Sequence, residues 1–440
     1  MSRPPLTGER AGRIVRAQLG RPAQDLLEAA VVLEAWGGVP SDAALALDAG
    51  VLPARAEPQA RTASWTAAED DDGRESIVAE GIGLLVAIVA VAAWAGPLSH
   101  QLGVVALAHA LRIALPLTVG LQWAVRSRYL GRPGGLRCLA QEPVRVLLAA
   151  VALGLPLGLV PRVGPLAGVL TLIWVGGTLL ARRGWGLAYA MLVVGEAVAL
   201  AAHAPAGWAL AALAALVLAG VALAVALARG PAPEAPGRMA RALAAGAVGA
   251  LLGGLLVGDR SLGWGVHGAF PGLALVPSVI GGLWGGYRLW QLHTAIPRGL
   301  RGVPLAQASA PAWGGPAMRI LGGALARLAG ATLALSALVV AAAPWTRGTD
   351  EPGLLAAFGC VALLSLLIGL HESLGHPRWA VTVAAASLAV ELAADRWLAA
   401  PVTGLSLCAA AAAGSLLALA PLVRRLRSPG RMLATALWIK

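Results

Sequence analysis

The sequence predicts an all-α integral membrane protein: twelve transmembrane helices in two six-helix lobes, with a short cytoplasmic N-terminal tail. Composition is the first reason. Of the 440 residues, 58% are hydrophobic and only 13% are charged, whereas a soluble globular protein carries about 25% charged residues. A lipid-embedded bundle needs this excess of apolar side chains, because its outer face must be apolar as well as its core.

Hydrophobic stretches of spanning length are the second reason. They recur after residue 76, are 17–24 residues long, and are separated by short breaks where Pro or Gly is common. Such lengths match an apolar layer of about 30 Å at a rise of about 1.5 Å per residue. The predicted spans are 77–95, 103–125, 144–161, 165–181, 185–203, 207–228, 240–258, 268–290, 320–343, 353–370, 378–395 and 402–423.

The third reason is the distribution of basic residues between alternate breaks. The breaks predicted to be inside carry 14 Arg and the C-terminal tail adds 5 Arg or Lys, giving 19, whereas the outer breaks carry only 4. Basic residues are retained on the cytoplasmic side. Both termini are therefore predicted to be inside, with the chain in the cytoplasmic membrane.

Net charge differs between the tail and the membrane part. Residues 1–76 hold 8 Arg and 12 acidic residues, net −4, and the rest holds 26 basic and 10 acidic residues, net +16. Because the basic excess lies in the membrane part, the overall charge of +12 does not indicate a nucleic-acid partner.

Four regions follow. Residues 1–76 are a tail with a helical unit at 24–36 and a linker at 53–76 that contains the acidic run 69–72. Residues 77–230 are the first lobe, 231–424 the second, and 425–440 a basic cytoplasmic tail. The N-terminal tail is a predicted docking site for a cytoplasmic partner; the simpler interpretation is a solvated tail.

An internal repeat supports two lobes of the same direction. Two segments 161 residues apart share three residue types at matching positions: Pro116, Gly120 and Trp123 in the second span, and Pro277, Gly281 and Trp284 in the eighth. Glu196 in the fifth span and Glu391 in the eleventh correspond as well. The lobes are expected to be related by an axis near the membrane normal.

Charged side chains inside spans mark the candidate site. Arg112 lies near the middle of the second span, and His109, Arg112 and Pro116 share one helix face. A central Arg costs about 2.5–3.5 kcal/mol on insertion scales, so it is expected to face a wet cavity or a carboxylate. Arg112 and His109 are therefore candidates for binding an anionic substrate. The alternative is a structural ion pair between helices.

Four further residues join the candidate set. Gln122 and Arg288, near the inner ends of their spans, are candidates for lining the cavity, although snorkelling also explains Arg288. Glu196 and Glu391 are candidates for carrying a coupling proton or for pairing with Arg112.

Catalytic and metal signatures are weak. In the run from His371 to His376 the second His is at i+5, which does not fit a His-Glu-x-x-His zinc site, and there is no Walker loop. The three cysteines, Cys138, Cys360 and Cys408, have neither a disulfide-framework spacing nor a metal spacing. The sequence predicts neither an enzyme nor a cofactor or metal site.

The predicted architecture resembles the multidrug/oligosaccharidyl-lipid/polysaccharide flippase superfamily over residues 77–424. Stretches 110–130 and 273–292, with the central Arg112, carry most of the resemblance. It implies a cavity between the lobes that opens alternately to each side. The partners it implies are membrane lipids, a lipid-linked sugar or polysaccharide substrate, and a cytoplasmic glycosyltransferase that docks on the N-terminal tail.

Two alternatives stay open. A major facilitator transporter also has six plus six helices, but residues 126–132 match its loop motif loosely and lack the Asp. A non-transporting scaffold would recruit cytoplasmic enzymes through the tail, and Arg112 would then be structural.

Overall fold

The structure is a computed structural model that describes residues 8–19, 32–33, 86, 94, 96–130, 138–139, 160, 162–227, 239–258, 326, 330, 333–334, 337, 352–373, 376–397 and 404–426. Within these ranges 94% of residues are helical and none is in a strand. The helices are α1 (Gly8–Leu19), α2 (Val104–Val125), α3 (Gly164–Leu180), α4 (Gly186–Ala201), α5 (Ala206–Ala226), α6 (Met239–Gly258), α7 (Pro352–Ser373), α8 (Pro377–Trp397) and α9 (Leu405–Leu426).

Apolar helices of spanning length confirm a multi-pass, all-helical membrane protein. Five such segments are described: Val104–Tyr129, Arg183–Ala201, Ala206–Ala226, Met239–Gly258 and Leu405–Leu422. Gly164–Leu180 and Ala356–Glu372 are shorter apolar helices. Helix α8 is as long but more polar, because it carries four charged residues: Arg378, Glu391, Asp395 and Arg396.

Eight of the predicted spans coincide with α2–α9 to within three residues at either end. The spans predicted at 77–95, 144–161, 268–290 and 320–343 lie wholly or mostly outside the described residues, as does most of the tail unit at 24–36. The total of twelve spans and the two-lobe arrangement therefore stay predictions.

Helix α1, which the sequence did not predict, has one buried face. Ala11 and Val15 are each 1% exposed and belong to the main hydrophobic core, whereas Arg13 and Arg16 on the other face are exposed. This separation of apolar and basic faces is typical of an amphipathic helix on a surface. Partner docking on the tail stays a prediction.

A tight turn joins α3 to α4. The π-helical segment Ala181–Trp185 contains Gly184 with φ +86°, in the left-handed region that glycine enters without a steric penalty. The Arg183 guanidinium donates a hydrogen bond to the carbonyl of Leu227, just after α5, over 3.0 Å. The turn thus places the ends of α3 and α5 next to each other.

Glycines allow α2 and α6 to pack at very short range. A Cβ on Gly249 would lie 2.5 Å from the Val119 carbonyl oxygen, and a Cβ on Gly253 would lie 2.6 Å from Pro116 Cα. Small residues four apart are the usual means of close helix approach in membranes. The order of the two contacts shows that α2 and α6 are antiparallel.

Replacing Gly253 by Ala should destabilise the bundle. The added methyl group meets the backbone of Pro116, so the helices must separate, at a cost of about 1–3 kcal/mol. Thermal unfolding in detergent should show a lower midpoint. Gly195→Ala is the control, because its Cβ meets nothing within 4 Å; an equal loss in both variants would contradict close packing at Gly253.

Three other helix pairs run parallel. Their contacts rise together in residue number: Gly254 with Leu388 and Gly258 with Glu391 for α6 and α8, Cys360 with Cys408 and His371 with Ala418 for α7 and α9, and Gly176 with Val217 and Gly220 with Leu180 for α3 and α5. Each pair has the relative direction that alternating spans predict.

A short turn at His376 makes α7 antiparallel to α8. Because α6 is parallel to α8, Gly258 at the end of α6 and Pro352 at the start of α7 lie at the same end of the bundle.

The two ends are named by the predicted orientation. The end that carries Gln101, Gly258 and Trp397 is called the outer end, and the end that carries Arg126, Arg241 and Arg378 the inner end. The Gln101 side chain accepts a hydrogen bond from the Ala206 backbone N–H over 2.7 Å, which places the starts of α2 and α5 together at the outer end.

Cysteine labelling tests the orientation. In a chain without its native cysteines, single cysteines at Ser99, Pro205 and Thr349 should react with a membrane-impermeant maleimide added outside intact cells. Ser99 and Pro205 flank the Gln101–Ala206 contact, and Thr349 lies outside the described residues. Reaction of these positions only after the inner face is exposed would reverse the orientation.

Candidate substrate site at the outer end of α6

Arg112 lies on a stripe of α2 that is covered by α6 along only part of its length. Pro116 and Val119 on this stripe contact Gly253 and Gly249 of α6. Arg112 is one turn nearer the outer end, about 6 Å from Pro116 along the axis. Because α6 is antiparallel to α2, the residues level with Arg112 lie about four positions after Gly253. Those residues form the last turn of α6.

The outer part of the stripe is exposed. Val105 is 66% exposed, and His109 and Arg112 are exposed as well. The described part of helix α6 reaches Gly258, at about the level of Arg112.

Glu391 packs against the same helix end. It is 0% exposed on α8, and a Cβ on Gly258 would lie 2.6 Å from its Oε2. The absence of a side chain at Gly258 leaves room for the carboxylate. Gly253 and Gly254 are neighbours in α6, so α2 and α8 flank neighbouring faces of α6. Arg112 and Glu391 therefore lie at about the same depth, on either side of its last turn.

Glu196 lies elsewhere, on the buried face of α4. It is 7% exposed, and its Oε1 has no hydrogen-bond partner among the described residues. One turn earlier, the Trp94 indole N–H donates to the Val193 carbonyl over 3.2 Å. Helix α4 packs with α3 and α5. Arg112 lies on α2, and α6 packs on α2. The described contacts place Glu391 beside α6, but they do not place Glu196 there.

Gln122 joins α2 to α3 instead of lying near Arg112. Its Nε2 donates a hydrogen bond to the Trp174 carbonyl over 3.1 Å. Along the axis of α2, Gln122 lies about 15 Å closer to the inner end than Arg112 does. The remaining candidate for the cavity, Arg288, lies outside the described residues.

The inner end carries a separate charged group. The Glu372 carboxylate at the end of α7 interacts electrostatically with Arg126 after α2 and with Arg241 in α6. The Arg128 guanidinium lies 5.3 Å from the centre of the Tyr129 ring and donates to the Tyr129 hydroxyl over 2.8 Å. Side chains at a helix end reach the interface in this way.

Gly258 is the site residue that sequence reasoning missed. The glycines of α6, at 246, 249, 253, 254 and 258, gave the only signal.

Among the described residues, no group of three or more His, Cys, Asp or Glu side chains is arranged to hold a metal ion.

No family model matches the chain, and no curated protein or solved structure is significantly similar to it.

Proposed function

We propose that this chain is a membrane transporter that moves an anionic lipid-linked sugar or polysaccharide across the membrane by alternating access. The observation that carries the proposal is the exposed stripe of His109 and Arg112 in the outer half of a spanning helix. A cation facing lipid at this depth is costly, whereas one facing a water-filled cavity is not. A guanidinium also offers a planar fork of donors that suits phosphate or carboxylate oxygens.

Glu391 supplies a means of coupling. An ionised Glu391 at the depth of Arg112 repels an arriving anion, and a protonated Glu391 does not. Proton uptake at Glu391 and anion binding near Arg112 therefore favour each other, and this linkage is reciprocal. Alternation of the cavity would then carry a proton and the anionic headgroup together. Glu196, buried in α4, is the second carboxylate proposed for a coupling role.

Reconstitution tests the proposal. Purified chain in proteoliposomes should speed the passage of a fluorescent polyprenyl-pyrophosphate sugar between leaflets, measured by its protection from an impermeant quencher. A zwitterionic phospholipid with the same fluorophore is the matched substrate control and should cross no faster than in empty liposomes. Equal rates for both probes, or no acceleration by folded protein, would reject an anion-selective transporter.

A further inference from the structure

Two cysteines that are 48 residues apart in sequence meet between α7 and α9. The Sγ atoms of Cys360 and Cys408 lie 3.7 Å apart, and both are free thiols. The two helices are parallel and are joined nearer the inner end by a hydrogen-bond contact of 2.8 Å between His371 Nε2 and the Ala418 carbonyl. The register that brings the sulfurs together is therefore set at a second point on the same interface.

The pair is close to the geometry of a disulfide. An S–S bond is about 2.05 Å long, so the sulfurs must approach by less than 2 Å, within reach of side-chain rotation. Both side chains are only partly buried, which leaves room for that rotation. Cys408 lies in the first turn of α9, about 5 Å from its outer end.

We propose that Cys360 and Cys408 are a reversible disulfide site that ties α7 to α9. A small disulfide is the oxidant. One cysteine thiolate attacks it, forms a mixed disulfide and releases the first small thiol; the second cysteine then displaces the other small thiol. The S–H bonds of both cysteines are lost and one S–S bond forms between them. Both halves of the small disulfide leave reduced, each carrying one proton.

The bond would form beside the helix that carries Glu391. Helix α9 packs on α8, where Gly414 meets the Ser387 side chain, and Ser387 is one turn from Glu391. Oxidation therefore fixes α9 to α7 at the face of the bundle next to the candidate site. This inference depends on the geometry of the two thiols and not on transport.

The experiment uses full-length protein in detergent with Cys138→Ser, which leaves two thiols. Cys138 packs in a different cluster with Val125 and Tyr129. After treatment with 4,4′-dithiodipyridine, the intact mass should fall by two hydrogen atoms with no pyridylthio group added. Free thiols should fall from two per chain to none, and dithiothreitol should restore both.

Matched variants make the result specific. Adding Cys408→Ser should leave a stable pyridylthio adduct on Cys360. Adding Cys408→Ser together with Ala409→Cys places the thiol at the same depth on an exposed neighbouring face of α9, and it should give two adducts without a cross-link. Two adducts on the Cys360/Cys408 chain, or equal cross-linking by the position 409 variant, would overturn the proposal.

Discussion

Arg112→Ala should abolish transport of the anionic lipid in a chain that still inserts and folds. The substitution removes a charge-assisted, two-pronged hydrogen-bonding group, whose loss costs about 1.5–3 kcal/mol per bond, or roughly tenfold to more than a hundredfold in binding. Arg112→Lys should weaken transport although the charge is kept, because an ammonium group does not offer the planar fork. The rate of probe passage in proteoliposomes measures both.

Arg162→Ala is the control for Arg112. Arg162 is an exposed arginine just before α3 at the outer end, and its loss should leave transport unchanged. If Arg112→Ala unfolds the chain and Arg112→Ala with Glu391→Ala refolds it, the two residues form a fixed ion pair. Arg112 would then not belong to the substrate site.

Glu391→Gln should uncouple transport from the pH gradient. The amide keeps the shape of the carboxyl beside Gly258 but has no charge to neutralise, so anion binding no longer depends on proton uptake. Coupling between two sites is typically about 5–150-fold, and the ratio of transport rates with and without an inward acid gradient should fall to about one. Asp395→Asn, four residues further along α8, should keep the wild-type ratio.

A second substitution probes the same carboxylate from α6. Gly258→Ala places a methyl group against Oε2 of Glu391, so it should also lower the gradient effect while leaving Arg112 intact. Persistence of wild-type coupling in both Glu391→Gln and Gly258→Ala would exclude this end of α6 from the proton pathway.

Helix positions were predictable because a membrane makes hydrophobicity a direct signal. Polar breaks located the ends of α2–α9 to within three residues, and alternation gave the relative directions of α3 and α5, of α6 and α8, and of α7 and α9. Helix α1 was missed because only a few of its 12 residues are apolar. The remaining predicted spans lie outside the residues that the structure describes.

The site was predictable only in part. Arg112 and Glu391 stand out as charges in apolar stretches, but their common depth depends on the register of α6 against α2 and α8, which no local pattern encodes. Gly258 is one of 56 glycines, so composition hides it. Gln122 was a candidate for the cavity, yet a neutral amide also suits the helix-to-helix hydrogen bond that it makes with Trp174.

The cysteines show the same limit. Spacing along the chain gave no disulfide framework, whereas the packing of α7 on α9 brings Cys360 and Cys408 to 3.7 Å. A contact between distant helices depends on tertiary structure and leaves no signature in the spacing of two residues.

Water access to the exposed stripe of α2 tests the central claim most directly. His109→Cys and Ala211→Cys each place a thiol on an exposed face five residues after the start of α2 and α5, and both helices start at the outer end. With the native cysteines replaced, a charged methanethiosulfonate should modify the cysteine at position 109 and leave the one at 211 unmodified, because the proposal places the α2 stripe, and not this face of α5, beside a water-filled cavity. If the reagent modifies neither cysteine when it is added to either side of the membrane, His109 and Arg112 face no such cavity.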